Sequence, residues 1–155
     1  QQKQLEITKA NEKLAKENRV KSIIDNEKSI VKKDNAYYIK TEPIYFDYDL
    51  WYMRKESRAT LQNVISLMKK YPNMKIEIGT HTDIRGNNKY NKDLSQKRSN
   101  SVQQYLSENK IDVSRIIAIG YGERFPIIYC ETEESCTEEQ HEINRRCEFK
   151  ILNFE

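Results

Sequence analysis

The sequence lacks the features that mark several large classes of protein. None of its apolar runs approaches the ~20 residues of a membrane-spanning helix, so no direct membrane span is predicted. Although 33% of the residues are charged, the net charge is only +3, which argues against a nucleic-acid partner, because such domains usually show a concentrated basic face. There is no internal repeat. The chain starts at Gln1 without an initiator Met or a signal peptide, and we expect an excised fragment of a longer protein.

The first 28 residues differ in composition from the rest of the chain. They are rich in Lys, Glu, Asn and Gln, and their few apolar residues hold no heptad. We expect a charged helical linker or tether over residues 1–28, solvated and partly frayed. The following residues, 29–155, are long enough for one domain with its own core.

Hydrophobic patterns predict the elements of this domain. Ile30-Val31 and Tyr37-Tyr38-Ile39 flank a polar turn and predict an N-terminal hairpin extension. The further predictions are strands at 44–48, 74–78, 116–119 and 146–151, helices at 61–71 and about 89–109, and a long acidic loop at 123–143. The order predicts an α+β fold, a βαβαβ-type two-layer sandwich with two main helices packed on one face of a mixed four-stranded sheet.

Two arginines occupy positions that should face the core. On a helical wheel, Arg98 lies inside the apolar stripe of the second helix, near its start. Arg145 shares the parity of the inward-facing residues of the last strand. A buried guanidinium without a partner costs roughly 3–5 kcal/mol. Asp83, just after the 74–78 strand, is the nearest obvious counter-ion in sequence.

Two interpretations of these charges remain open. In the first, a buried Asp83–Arg98 salt bridge only locks the strand to the helix, and the chain is a structural protein-interaction domain. In the second, the charges hold a ligand that carries both signs. A carboxylate would accept from the ligand's ammonium, and the planar fork of an arginine suits its carboxylate. Backbone N–H groups at the helix start would help to bind the anion.

An ordered set of motifs covers about residues 44 to 152. It reads Tyr45-Phe46-Asp47-Tyr48, Gly79-x-His81-Thr82-Asp83-x-x-Gly86, Tyr90-Asn91-x-x-Leu94-Ser95-x-x-Arg98, Arg115-x-x-x-x-Gly120-Tyr121-Gly122-Glu123 and Asn144-Arg145-Arg146. The set resembles the OmpA-like domain, the peptidoglycan-anchoring module shared with Pal-type lipoproteins and MotB-type stator proteins. Each motif alone is weak, whereas the whole set at these spacings is specific.

The resemblance implies non-covalent binding of peptidoglycan through the meso-diaminopimelate of its stem peptide, whose side chain ends in an ammonium and a carboxylate. It implies a binding module without catalysis or cofactor, at the periplasmic face of the outer membrane, which anchors a larger outer-membrane or periplasmic protein to the cell wall.

The resemblance also implies roles for individual residues. Asp83 resembles the ammonium acceptor, Arg98 the principal carboxylate partner and Arg145 the second arginine of the pocket. The other implied pocket residues are Phe46 and Asp47 in the first strand, Thr82 beside Asp83, and Asn91, Leu94 and Ser95 at the helix start.

The cysteines allow two arrangements. Cysteine-bearing loops like this one occur in Bacteroidetes-type versions of the domain, and the oxidising periplasm favours a Cys130–Cys136 disulfide. Cys147 is then an inward-facing core residue. The alternative is a zinc site made by Cys130, Cys136, His141 and Cys147, whose ligand count suits tetrahedral zinc.

The pair His81 and Asp83 leaves a third function open. An H-x-D pair can ligate a metal, and a metal-dependent hydrolase acting on the wall would need such a group. No second acidic or histidine cluster follows it apart from His141 in the distant loop, and no nucleophile has an evident base.

Overall fold

The computed structural model describes residues 1–47 and 49–155 of the chain. The main elements are helices α1 (Gln2–Asn26), α2 (Ser57–Thr60), α3 (Gln62–Lys70), α4 (Asn88–Glu108) and α5 (Glu138–Asn144), and strands β1 (Ile30–Lys33), β2 (Ala36–Ile39), β3 (Lys75–His81), β4 (Ile116–Gly122) and β5 (Arg146–Asn153). Short 3₁₀ turns lie at Val113–Arg115 and Glu133–Ser135. The α+β class and the order of the two main helices and their strands are confirmed.

The sheet has five strands in the order β1-β2-β5-β3-β4, one more than predicted. Strands β3 and β4 are parallel, and the other neighbours are antiparallel. The fifth strand arises because the hairpin is not an appendage. Its second strand pairs with β5 in the register Tyr37↔Ile151 and Ile39↔Phe149, which buries Ile39 in the core.

The strand predicted at 44–48 is not part of this sheet. Its described residues form one isolated bridge, Phe46↔Met53, and Tyr48 lies outside the described residues. Both edges of β3 are already paired, with β4 and β5, and β2 takes the other edge of β5. The chain around this segment instead contacts helix α4, whose Arg98 donates to the carbonyls of Asp47 and Leu50.

The two main helices pack on one face of the sheet, as predicted. Their buried apolar side chains meet those of the inner strands in one core. Helix α4 lies especially close to β4 at Gly120, where a Cβ atom would stand 2.1 Å from the backbone nitrogen of Gln96. The Gln96 side chain fixes this contact by accepting from the Gly120 N–H and donating to the Ala118 carbonyl. The start of α4 is thus held firmly against the strand layer.

Helix α1 is unbroken from Gln2 to Asn26, rather than partly frayed, and none of its residues is buried. Its sequence is rich in strong helix formers, which favours a continuous helix. It is tied to the domain near its C-terminal end, where Arg19 pairs with Glu155. Just beyond the helix, Glu27 pairs with Lys70. In the described part of the chain, no helix combines the length and apolar character needed to cross a bilayer.

The acidic segment 123–143 is more ordered than the predicted loop. It contains a 3₁₀ turn and helix α5, which begins with a capping box between Thr137 and Gln140. Cys130 and Cys136 form a disulfide, so these two sulfurs are not available for the alternative zinc site. The helix has only seven residues, and such a short element gives little periodicity from which to predict it.

Candidate functional site

Asp83 lies in a tight loop directly after β3. Its Oδ1 accepts from the backbone N–H of Arg85 at 2.8 Å, which closes an Asx turn. The side-chain amide of Asn91, on the first turns of α4, donates to the Arg85 carbonyl at 2.9 Å. The loop is therefore held between strand and helix, and the buried Asp83 carboxylate has a fixed direction.

Two arginines bind the Asp83 carboxylate. Arg145 Nη1 and Arg85 Nη2 donate to Oδ2 at 2.7 and 2.8 Å, and Arg85 Nε reaches Oδ1 at 3.2 Å. Burial by itself would raise the pKa of Asp83, but the hydrogen bonds from both arginines outweigh it and hold the pKa below its ordinary value. The carboxylate is thus ionised at neutral pH.

Arg98 does not pair with Asp83, so the salt bridge of the first interpretation is not formed. The buried guanidinium instead donates through Nε to the Leu50 carbonyl at 3.0 Å and through Nη2 to the Asp47 carbonyl at 3.4 Å. The guanidinium carbon Cζ of Arg98 lies 5.0 Å from the centre of the Phe46 ring. These partners lie between β2 and α2, in and next to the segment predicted as a strand, so strand pairing could not predict the contacts.

The environment of Arg98 favours an anion. Burial lowers its pKa, and the positive charge of Arg145 adds to this, while the charges of Asp49 and Asp83 oppose it. Within residues 1–47 and 49–155, Nη1 of Arg98 makes no hydrogen bond. A negative group between the two arginines would offset their repulsion and supply an acceptor.

These groups surround one cavity of about 1,270 Å³. Its lining includes seven of the predicted site residues: Phe46, Thr82, Asp83, Asn91, Leu94, Arg98 and Arg145. The hydroxyl of Thr82 is buried and has no hydrogen-bond partner among the residues the structure describes. The cavity thus combines carboxylates, guanidinium groups and apolar side chains in one space.

A model of the family described as the OmpA family matches residues 45–140. The chain belongs to the OmpA family. The chain is 34% identical over 108 residues to the outer membrane porin F of Pseudomonas fluorescens, which covers 70% of the chain and 32% of the porin. It is 32% identical to the peptidoglycan-associated lipoprotein of Agrobacterium fabrum, over 57% of the chain and 50% of the lipoprotein.

The solved structures agree with this assignment. The crystal structure of the peptidoglycan-associated lipoprotein from Burkholderia pseudomallei superimposes with a TM-score of 0.60 at 29% identity, covering 71% of this chain and 90% of that one. The chain therefore spans about a third of the porin, half of the Agrobacterium lipoprotein and most of the Burkholderia chain. The porin contains a large part that has no counterpart here.

Two predicted pocket residues of this OmpA-family chain lie elsewhere. Ser95 is fully buried, and its hydroxyl accepts from the Gly122 N–H and donates to the Lys92 carbonyl, so it braces α4 against β4. The Asp47 carboxylate is largely exposed and pairs with Arg54 at 2.6 Å. Only its backbone carbonyl reaches the site, through Arg98.

His81 and Asp83 do not form a common catalytic or metal site. His81 Nε2 lies 3.3 Å from Glu148, and its ring stacks on Tyr121. Burial lowers the pKa of His81, whereas both oxygens of Asp83 are held by arginines. Within the ranges that the structure covers, no group of three or more His, Cys, Asp or Glu residues is arranged to hold a metal ion.

Asp83 and Arg145 form ion pairs with two further residues, Arg85 and Glu138, for which the sequence predicted no role. Arg85 binds Asp83, and Glu138 binds both Arg85 and Arg145. The Asp-x-Arg spacing is a usable signal for the first, because an Asx turn brings residue i+2 back to the carboxylate. Glu138 is 53 residues from Arg85, and its spacing of seven residues from Arg145 becomes a signal only once α5 is known to be a helix.

Arg145 also differs from its predicted position. It does not open the last strand but lies between α5 and β5 as the C-terminal cap of α5. Its side chain is 34% exposed rather than directed into the core. It reaches Asp83 because the α5–β5 junction passes over the end of β3.

Proposed function

We propose that this chain binds peptidoglycan non-covalently and anchors a larger envelope protein to the cell wall from the periplasmic face of the outer membrane. The names of its lipoprotein relatives support peptidoglycan association. In this proposal residues 29–155 form the binding domain, and residues 1–28 form the tether to the rest of the protein. None of the relatives named above is described as an enzyme, which agrees with a binding module.

The observation that carries the proposal is the placement of Asp83, Arg98 and Arg145 on one cavity. The proposed ligand is the meso-diaminopimelate of the stem peptide. Its ammonium would bind the ionised Asp83 in place of Arg85, whose side chain is 37% exposed. Its carboxylate would lie between Arg98 and Arg145, where two positive charges repel each other. Lysine at the same place in the stem peptide has the ammonium but lacks the side-chain carboxylate, so it would satisfy only half of the site.

The remaining lining residues fit the body of such a ligand. Leu94 and the Phe46 ring offer apolar surface for the aliphatic part of the side chain. The unpaired hydroxyl of Thr82 offers a further polar contact. Asn91 uses its amide to hold the Asp83 loop, so its role in this proposal is to fix the geometry of the carboxylate.

The expected affinity for one site is modest. Charge-assisted hydrogen bonds contribute roughly 1.5–3 kcal/mol each, and association costs at least about 4 kcal/mol. A few such bonds therefore give a dissociation constant between about 1 mM and 1 µM. Many copies on a polymeric wall would make the anchoring firm through avidity.

A pull-down with purified sacculi tests the proposal. Wall that contains diaminopimelate should retain the protein, and wall with lysine at that position should retain much less. Asp83→Ala and Arg98→Ala should each abolish retention. Asp93→Ala, which removes an exposed carboxylate on α4, is the matched control and should bind like the parent.

Circular dichroism of each variant distinguishes lost binding from lost folding. Equal retention on both walls would contradict recognition of diaminopimelate. Full retention by folded Asp83→Ala and Arg98→Ala proteins would contradict the site itself.

A further inference from the structure

The carboxylate of Glu138 binds a nitrogen of Arg145 that does not bind Asp83. Its Oε1 accepts from Arg145 Nη2 at 3.0 Å, and its Oε2 accepts from Arg85 Nη1 at 2.7 Å. Both arginines bind Asp83 with another nitrogen. Two guanidinium groups are thus held between two carboxylates, one of which is buried and one exposed.

We propose that Glu138 is an intramolecular competitor of the ligand carboxylate, a latch that must leave Arg145 before the ligand binds. The inference rests on the proposed function and concerns the regulation of the same site. The Glu138–Arg145 contact would lower the apparent affinity of the cavity for any zwitterionic amino-acid head group.

The segment that carries Glu138 is fixed in place. Asn144, at the end of α5, accepts from the N–H groups of Ile127 and Ile128, and the ring of His141 contacts the Glu133 carbonyl at 2.8 Å. The Cys130–Cys136 disulfide closes the chain just before the helix. The backbone of α5 therefore holds Glu138 opposite the arginines even when its side chain is released.

The side chain itself faces solvent. It is 60% exposed, whereas that of Asp83 is 7% exposed. A rotation of the Glu138 side chain would transfer its carboxylate to water without moving the helix. Arg145 would then have one nitrogen on Asp83 and another free for the ligand. Asp83 cannot serve as the latch in this way, because its carboxylate is enclosed by the loop.

The latch sets the fraction of the protein that is ready to bind. Apparent affinity falls in proportion to the open fraction. If the two exposed ion pairs keep the latch closed most of the time, removing the Glu138 charge should tighten binding roughly threefold to tenfold.

Calorimetric titration of the full chain with meso-diaminopimelate provides the test, using the parent, Glu138→Gln and Glu134→Gln proteins. Glutamine keeps the size of the Glu138 side chain but removes its charge. Glu134 lies in the same acidic segment, is exposed and does not line the cavity, so its variant controls for the general change in charge. Thermal unfolding shows whether each variant is folded.

Tighter binding by Glu138→Gln, with Glu134→Gln within twofold of the parent, supports the latch. A crystal structure of the complex should then show the ligand carboxylate on Arg145 and Glu138 released. Weaker binding by Glu138→Gln would overturn the latch, because Glu138 would then be a ligand-binding group. Equal tightening in both variants would overturn it in favour of long-range charge.

The titration distinguishes a failure of the latch from a failure of the proposed function. If the parent binds and Glu138→Gln binds equally well, only the latch is wrong. If neither the parent nor Glu138→Gln binds at millimolar ligand, the proposed function is wrong and the latch fails with it.

Discussion

Arg145 Nη1 donates a 2.7 Å hydrogen bond to Asp83 Oδ2, across 62 residues of sequence. The bond joins the α5–β5 junction to the loop after β3. It places the guanidinium of Arg145, the C-terminal cap of α5, beside a buried carboxylate. The second nitrogen of that guanidinium binds Glu138, the partner that we propose the ligand replaces. The pair is therefore a connection between two loops and, in our proposal, half of a ligand site.

Arg145→Ala should weaken binding of meso-diaminopimelate by roughly 10- to 100-fold, because it removes a charge-assisted hydrogen bond to the ligand carboxylate. The free energy of unfolding should change by about 1 kcal/mol or less, since the ion pair is partly exposed. Calorimetric titration and urea unfolding measure the two effects separately. Arg124→Ala removes an exposed arginine elsewhere and should leave both values unchanged. A large loss of stability with unchanged affinity would show that Arg145 is purely structural.

Glu148 should make the free energy of unfolding depend on pH in the acid range. Its contact with His81 lowers its pKa to about 2, with Arg146 adding to the effect and burial opposing it. Because the pKa in the folded protein lies below the ordinary value of 4.5, the ionised carboxylate stabilises the fold above about pH 4.5, and this contribution disappears as the pH falls toward 2.

Between pH 6 and pH 3 the parent should therefore lose about 2 kcal/mol more stability than Glu148→Gln. Urea unfolding of both proteins at the two pH values measures this difference. The comparison with the variant removes the contributions of the other carboxylates, which titrate in both proteins. Identical losses in the two proteins would show that Glu148 has an ordinary pKa.

Arg115 should matter for stability but not for binding. Its guanidinium donates to the carbonyls of Met68, Tyr71 and Met74 and so satisfies the C-terminal end of α3 and the turn after it. Arg115→Ala should lower the free energy of unfolding by roughly 1–3 kcal/mol, because these carbonyls lose their partner. Sacculus retention by the folded fraction should be unchanged. Weakened retention by folded protein would mean that this end of the domain contacts the wall.

Gly120→Ala should destabilise the protein strongly. The added Cβ would stand 2.1 Å from the backbone nitrogen of Gln96, so α4 would have to move away from β4. We expect a loss of at least about 3 kcal/mol, at the upper end of overpacking effects. Gly79→Ala is the matched control, because its Cβ would meet a side-chain atom of Tyr121 at 2.9 Å, and a ring can shift. A smaller loss for Gly120→Ala than for Gly79→Ala in urea unfolding would contradict the close contact.

Hydrophobic periodicity was enough to predict the two main helices, their packing on one sheet face and the inner strands, because each period is long enough to indicate the buried side. The inward parity of Phe149 and Ile151 and the buried position of Arg98 follow from the same periodicity. The sequence also singled out Asp83, Arg98 and Arg145, but the core-facing position predicted for both arginines is correct only for Arg98.

Which charges meet could be read only from the folded chain. Asp83 pairs with Arg85 and Arg145, and Arg98 pairs with backbone carbonyls of a segment that is not a strand. These partners are set by how loops cross the ends of the strands, and loop paths leave no periodic trace in a sequence. For the same physical reason the place of the hairpin in the sheet and the contact of Glu138 with the site became visible only in the fold.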